Sequence, residues 1–181
     1  METAGYVLAG GRSQRMGRDK ALLAWGGRTL LEHVAGLVRE AVGNVTVVGP
    51  PSRYAGLGLR VIPDVVAGCG PLGGLYTALR DAAAERVLIA ACDMPYLTPG
   101  LLRQLAAGDG DAVVADSGRL HPLCAVYHRN LLPLVEGAIR AGALRMQDLL
   151  AAAAGVRRVA ADPAVVANLN TPQDLAAQEG A

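Results

Sequence analysis

The stretch YVLAGGRSQRMGRDK, residues 6–20, decides the fold. It opens as a short apolar run, Tyr6-Val7-Leu8-Ala9, and passes directly into Gly10-Gly11. A run of that length, continuous rather than alternating, is what a strand buried on both faces looks like. The residues after it suit neither helix nor strand: between Gly10 and Lys20 stand three glycines, three arginines, one aspartate and one lysine. Glycines let backbone N–H groups close on an anion as a nest of donors, and Arg12, Arg15, Arg18 and Lys20 add positive charge beyond it. In open α/β sheets ligands sit outside the carboxyl ends of the strands, at a switch point. The turn reads as a triphosphate cradle at such an end.

The rest of the chain continues the alternation. Val45-Thr46-Val47-Val48, Leu59-Arg60-Val61-Ile62, Val87-Leu88-Ile89-Ala90, Ala112-Val113-Val114-Ala115 and Leu123-Cys124-Ala125-Val126-Tyr127 are further short strand candidates. Between them, Leu30, Leu31, Val34, Leu37, Val38 and Ala41 keep the three-or-four spacing of one helix face. Thr29-Leu30-Leu31-Glu32 is a capping box at its start, and Thr98-Pro99 and Thr171-Pro172 are N-caps followed by proline at the first helical position. Strands alternating with helices predict a Rossmann-like three-layer α/β/α sandwich with a mostly parallel sheet. With 181 residues, no linker and no internal repeat, residues 1–181 form one domain, frayed over Gln178 to Ala181.

Composition removes several classes of function. Half the residues are hydrophobic, which argues against disorder, and a formal charge of +1 argues against nucleic acid or anionic membrane as partner. No apolar run is long enough to span a bilayer, and METAGYVLAGG lacks the basic start and cleavage pattern of a signal peptide, so a cytoplasmic chain is expected. Cys69, Cys92 and Cys124 are odd in number and widely spaced; they predict small, buried, reduced thiols rather than a disulfide framework or a zinc site.

The turn matches neither common phosphate loop. A Walker loop needs Lys followed by Ser or Thr, whereas Lys20 precedes Ala21, and Gly10-Gly11-Arg12 breaks the Gly-x-Gly-x-x-Gly spacing of dinucleotide folds. Leu8-Ala9-Gly10-Gly11-x-Ser13-x-Arg15-Met16-Gly17-x-Asp19-Lys20 resembles instead the signature of the molybdenum cofactor guanylyltransferases, the MobA family. That family stands within the wider nucleotidyltransferases that include the sugar-phosphate enzymes. Pro63-Asp64, Gly70-Pro71-Leu72-Gly73-Gly74-Leu75, Cys92-Asp93-Met94-Pro95, His121-Pro122-Leu123 and Asn168-Leu169-Asn170-Thr171-Pro172 extend the resemblance over nearly the whole chain. It implies a nucleotide-diphospho-sugar-transferase-like fold whose N-terminal half binds GTP and whose C-terminal half binds molybdenum-bound molybdopterin. It also implies that Leu8, Ala9, Gly10, Gly11, Ser13 and Lys20 cradle the nucleotide, that Asp64 binds it at the guanine or ribose end, and that Asp93 holds Mg²⁺. The paired glycine at 10 and 11 points to GTP, since the related cytidylyltransferases more often carry Ala-Gly.

Residue chemistry fits these roles. Nucleotidyl transfer builds charge on the α-phosphoryl oxygens and on the departing bridge, so positioning and electrostatic stabilisation carry the catalysis. Lys20 as a point charge and Arg15 as a fork suit that task, against a plain Lys20–Asp19 surface pair. Asp93 follows an apolar strand and emerges on the edge of the glycine turn; one carboxylate can suffice for Mg²⁺. A turn-capping role is its structural alternative, as it is for Asp64 after Pro63. Gly73 and Gly74 weaken a helix, which fits close approach of a ligand or of a neighbouring strand. Asn168 and Asn170 face one side of an extended segment, where they meet acceptor or metal, or cap the next helix. Arg145 and Arg119 are candidate grips for an anionic acceptor, while His121 beside Pro122 reads as structural. Gly49-Pro50-Pro51 departs from relatives that present an asparagine to the nucleotide there. Three functions are compatible with these residues: GMP transfer to molybdopterin, the same chemistry with CTP or a sugar or alcohol phosphate, and a non-catalytic nucleotide-binding chaperone of cofactor delivery. A labile product implies handover to molybdopterin-handling proteins or molybdoenzyme chaperones.

Overall fold

Neighbouring residues of each central strand serve different cores. The computed structural model describes residues 2–10 and 19–169. In chain order it contains β1 (Thr3–Leu8), the two-residue strands β2 (Ala24–Trp25) and β3 (Arg28–Thr29), α1 (Leu30–Val42), β4 (Thr46–Val48), α2 (Pro51–Tyr54) and β5 (Arg60–Ile62). Next come α3 (Gly70–Asp81), β6 (Arg86–Ala91), α4 (Pro99–Ala107), β7 (Ala112–Asp116), β8 (Leu120–His128), α5 (Leu132–Arg140), α6 (Met146–Ala152) and β9 (Val156–Ala160).

Successive strand side chains point to opposite faces. Val7, Leu88, Ala90, Val113, Ala115, Cys124 and Val126 pack with Leu31, Val34 and Val38 of α1 and Leu101, Leu102 and Leu105 of α4. Their neighbours Tyr6, Val87, Ile89, Ala112, Val114, Ala125 and Tyr127 pack with Leu72, Leu75 and Leu79 of α3 and with buried residues of α5 and α6. Two cores on one sheet are the three-layer sandwich, and they explain why the strands read as continuous apolar runs. The α1 capping box forms as the sequence predicts: Glu32 N–H donates to Thr29 Oγ1 at 3.2 Å and Thr29 N–H donates to Glu32 Oε2 at 2.8 Å. The cap at Thr98 also forms, while the one at Thr171 lies outside the described residues.

The sheet order is β5-β4-β1-β6-β8-β7-β9. All neighbours pair in parallel except at β8, which runs antiparallel to both β6 and β7. The register of β7 on β8 jumps from Val114↔Ala125 to Ala115↔His121, so Pro122, Leu123 and Cys124 bulge out of that ladder. Proline has no N–H to give a ladder, and such bulges re-aim the side chains around them.

Candidate active site

The order of the strands locates the cleft. From β1 the chain steps outward to β4 and β5, then returns to β6 on the other side of β1. Helices α1 and α3 therefore leave on opposite faces, and the β1/β6 boundary is the switch point. Cys92 N–H donates to Leu8 O at 3.1 Å, holding the two strand ends together. Leu8, Ala9, Gly10, Lys20, Asp64, Gly74 and Asp93 line the cleft just beyond them, so the structure brings these expected site residues together.

Lys20 and Asp93 are joined through a segment far along the chain. Lys20 Nζ donates to Leu169 O at 2.9 Å, Leu169 N–H donates to Asp93 O at 2.7 Å, and Asn168 Nδ2 donates to Asp93 Oδ1 at 2.9 Å. Leu169 itself is buried, which fixes the strap. A neutral carbonyl orients the Lys20 ammonium without cancelling its charge. Asp19 is occupied elsewhere, so the two do not form the simple surface pair. Asp93 is likewise no turn cap: its own turn is closed by Met94 N–H on Ala91 O at 3.2 Å.

Asp19 is anchored from α2. Its Oδ2 accepts the Tyr54 hydroxyl at 2.8 Å and Arg53 at 3.3 Å, while Oδ1 accepts Ala21 N–H at 3.1 Å and so caps the short turn that carries Lys20. Tyr54 is fully buried. Burial and the neighbouring Asp19 carboxylate raise its phenol well above the ordinary value, so it is a hydrogen-bond donor at any physiological pH. Gly49 permits this packing. A Cβ there would collide with Ala9 O and come within 2.9 Å of Tyr54 Cε2. The Gly49-Pro50-Pro51 stretch thus supplies a tether to the glycine turn.

Asp64 stands at the exposed mouth of the cleft. Desolvation raises its pKa above the ordinary carboxylate value, and the Thr77 hydroxyl at 3.2 Å opposes that rise. Thr77 Oγ1 also accepts Val65 N–H at 3.0 Å, so the strand end and α3 hold Asp64 between them. The adjacent glycines Gly73 and Gly74 of α3 differ. Gly74 faces the cleft, and a Cβ there would lie 2.9 Å from Leu8 Cδ1. Gly73 is buried, with Cys69 Cβ and Val66 O at 3.0 Å from its Cβ position. Close packing on the loop that leads into α3 accounts for Gly73, and close helix–sheet packing against Leu8 contributes at Gly74.

Not every expected residue reaches the cleft. Arg145 is exposed at the start of α6, away from the cleft wall. Arg119 and His121 line a separate pocket that Asn168 also borders. Gly11, Ser13, Arg15 and Asn170 lie outside the described residues. The thiols need a partial correction: Cys124 is buried, but Cys69 and Cys92 are only half-buried, and Cys92 lines the cleft. Desolvation, reinforced by Asp93, pushes the Cys92 thiol up to about 12, which makes it a packing group and not a nucleophile. Tyr54, Leu123 and the Leu169 backbone belong to the site without having been foreseen. Gly-Pro-Pro could have flagged the first and Pro122 within a strand the second, whereas a backbone carbonyl leaves no trace in sequence.

The oxygen donors suit a hard cation. Asp93 Oδ1 is engaged by Asn168, and Oδ2 has no protein hydrogen bond among the described residues. No three His, Cys, Asp or Glu residues cluster among the described residues as a metal cage. A lone carboxylate beside an asparagine amide fits a cation that takes the rest of its shell from phosphate oxygens and water.

Comparisons with known proteins agree with this geometry. A protein of Pelotomaculum thermopropionicum named "probable molybdenum cofactor guanylyltransferase" is 37% identical over 97% of this chain and 91% of its own length. The molybdopterin-guanine dinucleotide biosynthesis protein A of Archaeoglobus fulgidus superposes with a TM-score of 0.81 at 26% identity, over 98% of this chain and 97% of that one. A 2-C-methyl-D-erythritol 4-phosphate cytidylyltransferase from Thermus thermophilus gives 0.75 at 25% identity, over 99% and 98% of the two chains. Rv0371C of Mycobacterium tuberculosis, solved in complex with manganese, shares the fold at 20% identity and a TM-score of 0.72, over 98% and 97%. The MobA-like NTP transferase domain matches residues 5–168, and with its switch-point cleft and its full-length relatives this chain belongs to that family of nucleotidyltransferases.

Proposed function

We propose that this protein transfers GMP from GTP to molybdenum-bound molybdopterin, yielding the guanine dinucleotide cofactor and pyrophosphate in the cytoplasm. The observation that carries the reading is the joining of Lys20 and Asp93 at the switch-point cleft through Asn168 and Leu169. The guanylyltransferase names of full-length relatives and the Gly10-Gly11 pair support GTP.

Backbone donors of Gly10 and Gly11, with Ser13, cradle the triphosphate beside the cleft wall of Leu8 and Ala9, and Gly74 lets α3 come close to it. The Asp64 carboxylate at the mouth of the cleft accepts from guanine N1–H and the exocyclic amine. A terminal phosphate oxygen of the acceptor attacks the α-phosphorus; the new P–O bond forms as the bond to the bridging oxygen breaks, and pyrophosphate departs with that electron pair. The attacking phosphate is already ionised at neutral pH, so no side chain need take a proton. Lys20 and Arg15 neutralise charge growing on the α-phosphoryl oxygens. Asp93 holds Mg²⁺, which when bound offsets the triphosphate charge. Asn168 keeps the Asp93 carboxylate turned towards the cleft, and Asn170 holds the anionic acceptor on the C-terminal side. The product then passes to molybdopterin-handling proteins or molybdoenzyme chaperones.

Pyrophosphate release from GTP, CTP, ATP and UTP, with and without molybdenum-loaded molybdopterin, tests the proposal. Release that needs both GTP and the pterin is expected, falling about 100-fold or more in Lys20→Ala and Asp93→Ala, the range for removing a charge-stabilising group. The likeness to a cytidylyltransferase and the Gly49-Pro50-Pro51 departure give CTP as the second reading, which activity with CTP alone would select. Full activity of both variants would remove this site, and nucleotide binding without turnover would favour the chaperone.

A further inference from the structure

A second pocket lies behind Asn168. It is lined by Ser117, Gly118, Arg119, His121, Ala167 and Asn168. Two elements connect it with the cleft. Asn168 lines the pocket while donating to Asp93, and β8 contributes His121 to the pocket and Leu123, two residues on, to the cleft. The bulge around Pro122 makes that divergence possible.

The turn between β7 and β8 is rigidly built. Ser117 N–H donates to Arg119 O at 3.1 Å, Gly118 sits at φ 90°, and Gly118 N–H donates to Asp116 Oδ1 at 2.9 Å. Asp116 Oδ2 is taken by Arg158 at 3.5 Å. The exposed Arg119 guanidinium therefore has no hydrogen-bond or ion-pair partner among the described residues. His121 is only 8% exposed, and its Nε2 meets Ser117 Oγ at 2.7 Å. Burial, with Arg119 nearby, lowers its pKa from the ordinary 6.5, and the imidazole ring offers one N–H donor and one acceptor.

We propose that this pocket binds the pterin end of the acceptor, with Arg119, Ser117 and His121 as its recognition residues. The inference rests on the proposed transfer of GMP to molybdopterin. The acceptor's phosphate must meet the α-phosphorus on the Asp93 side of Asn168, so the body of the same molecule extends past Asn168 into the pocket. A hydrogen-bonded serine–histidine pair, the ring buried and able both to donate and to accept, matches the donor–acceptor edge of a heterocycle better than it matches a phosphate, which only accepts. A planar guanidinium can stack on the flat ring, which an ammonium cannot do.

Steady-state kinetics of Arg119→Ala and His121→Gln, with GTP and molybdenum-loaded molybdopterin varied separately, test this. Arg119 is exposed, so its replacement leaves the fold intact, and thermal melting checks the same for His121→Gln. The expected result is a KM for the pterin raised about tenfold in each variant, the scale of one lost stacking or hydrogen-bonding contact, with KM for GTP within about twofold of wild type. Arg119→Lys should recover little, having charge without the planar fork. An unchanged KM for the pterin in Arg119→Ala, or an equal rise for GTP, overturns the inference while leaving the reaction standing. Wild-type protein releasing no pyrophosphate from GTP with this acceptor overturns both.

Discussion

Asn168 donates its side-chain amide to Asp93 Oδ1 at 2.9 Å across 75 residues of chain. The bond ties the end of β6 to the strap that orients Lys20, so one asparagine governs the direction of the carboxylate and the seat of the ammonium. Partners of this kind, standing behind a metal-binding carboxylate, typically contribute 10–100-fold. Asn168→Ala is expected to lower kcat by about that factor while KM for GTP shifts only slightly, measured by pyrophosphate release over a magnesium titration. Unchanged kcat would reduce the contact to a structural tie.

Tyr54→Phe removes one hydroxyl from a fully buried ring and takes from Asp19 the shorter of its two bonds to α2. Asp19 keeps its bonds to Arg53 and to Ala21 N–H, so the turn loosens and does not collapse. KM for GTP should rise about threefold to tenfold with kcat less affected. Stability should fall by about 1 kcal/mol, the usual worth of one such hydrogen bond. Kinetics and urea denaturation on the same preparation check both numbers.

Gly49→Ala should be worse, although it adds only a methyl group. Its Cβ would meet a backbone oxygen, Ala9 O, with Tyr54 Cε2 on the other side at 2.9 Å, and neither can turn aside. Overpacking of this sort costs roughly 1–3 kcal/mol. Because Ala9 leads into the glycine turn, GTP affinity measured by calorimetry should fall together with the melting temperature. Loss of stability with intact affinity would place the strain elsewhere.

These tethers mark where sequence stops informing. The strand ending at Leu8, the α1 capping box and the emergence of Asp93 beyond β6 were legible because each is local: apolar continuity, cap spacing, a carboxylate two residues past a strand. The opposite direction of β8 was not, since hydrophobicity carries no sign along the chain. Edge strand β9 was missed because Arg157 and Arg158 interrupt it on an exposed border, where charge guards against stray pairing. Tyr54 and Leu169 escaped notice because their partners stand 35 and 149 residues away. Gly73 and Gly74 look equivalent in sequence, and only the rotation from one helical residue to the next, seen in the structure, sets Gly74 against Leu8 at the cleft and Gly73 against Val66 and Cys69.

Asp81 offers a check on stability remote from the cleft. It accepts Arg60 through both oxygens, at 2.6 and 2.7 Å, and the Tyr6 hydroxyl at 2.7 Å. The Arg60 bonds are the main reason its pKa lies below the ordinary 3.8, with Tyr6 assisting. A depressed carboxylate stabilises the fold above its unfolded-state value, and that contribution fades as pH falls through the folded-state value. Arg60 is 57% exposed, so the discounted worth is about 1 kcal/mol, or roughly 2–4 °C in melting temperature. Asp81→Asn should melt lower by that margin at pH 7, and the gap should close on acidification below pH 3.8. A gap independent of pH would mean that the charge is not what matters.

Lys20 finds its anchoring carbonyl 149 residues downstream, and this sets an order of assembly during translation. A nascent chain carries Lys20 and Asp93 well before it carries the carbonyl of Leu169 and the amide of Asn168 that steady them. Competence therefore arrives late and all together. A chain that ends before residue 168 holds both charged groups and neither of the bonds that aim them.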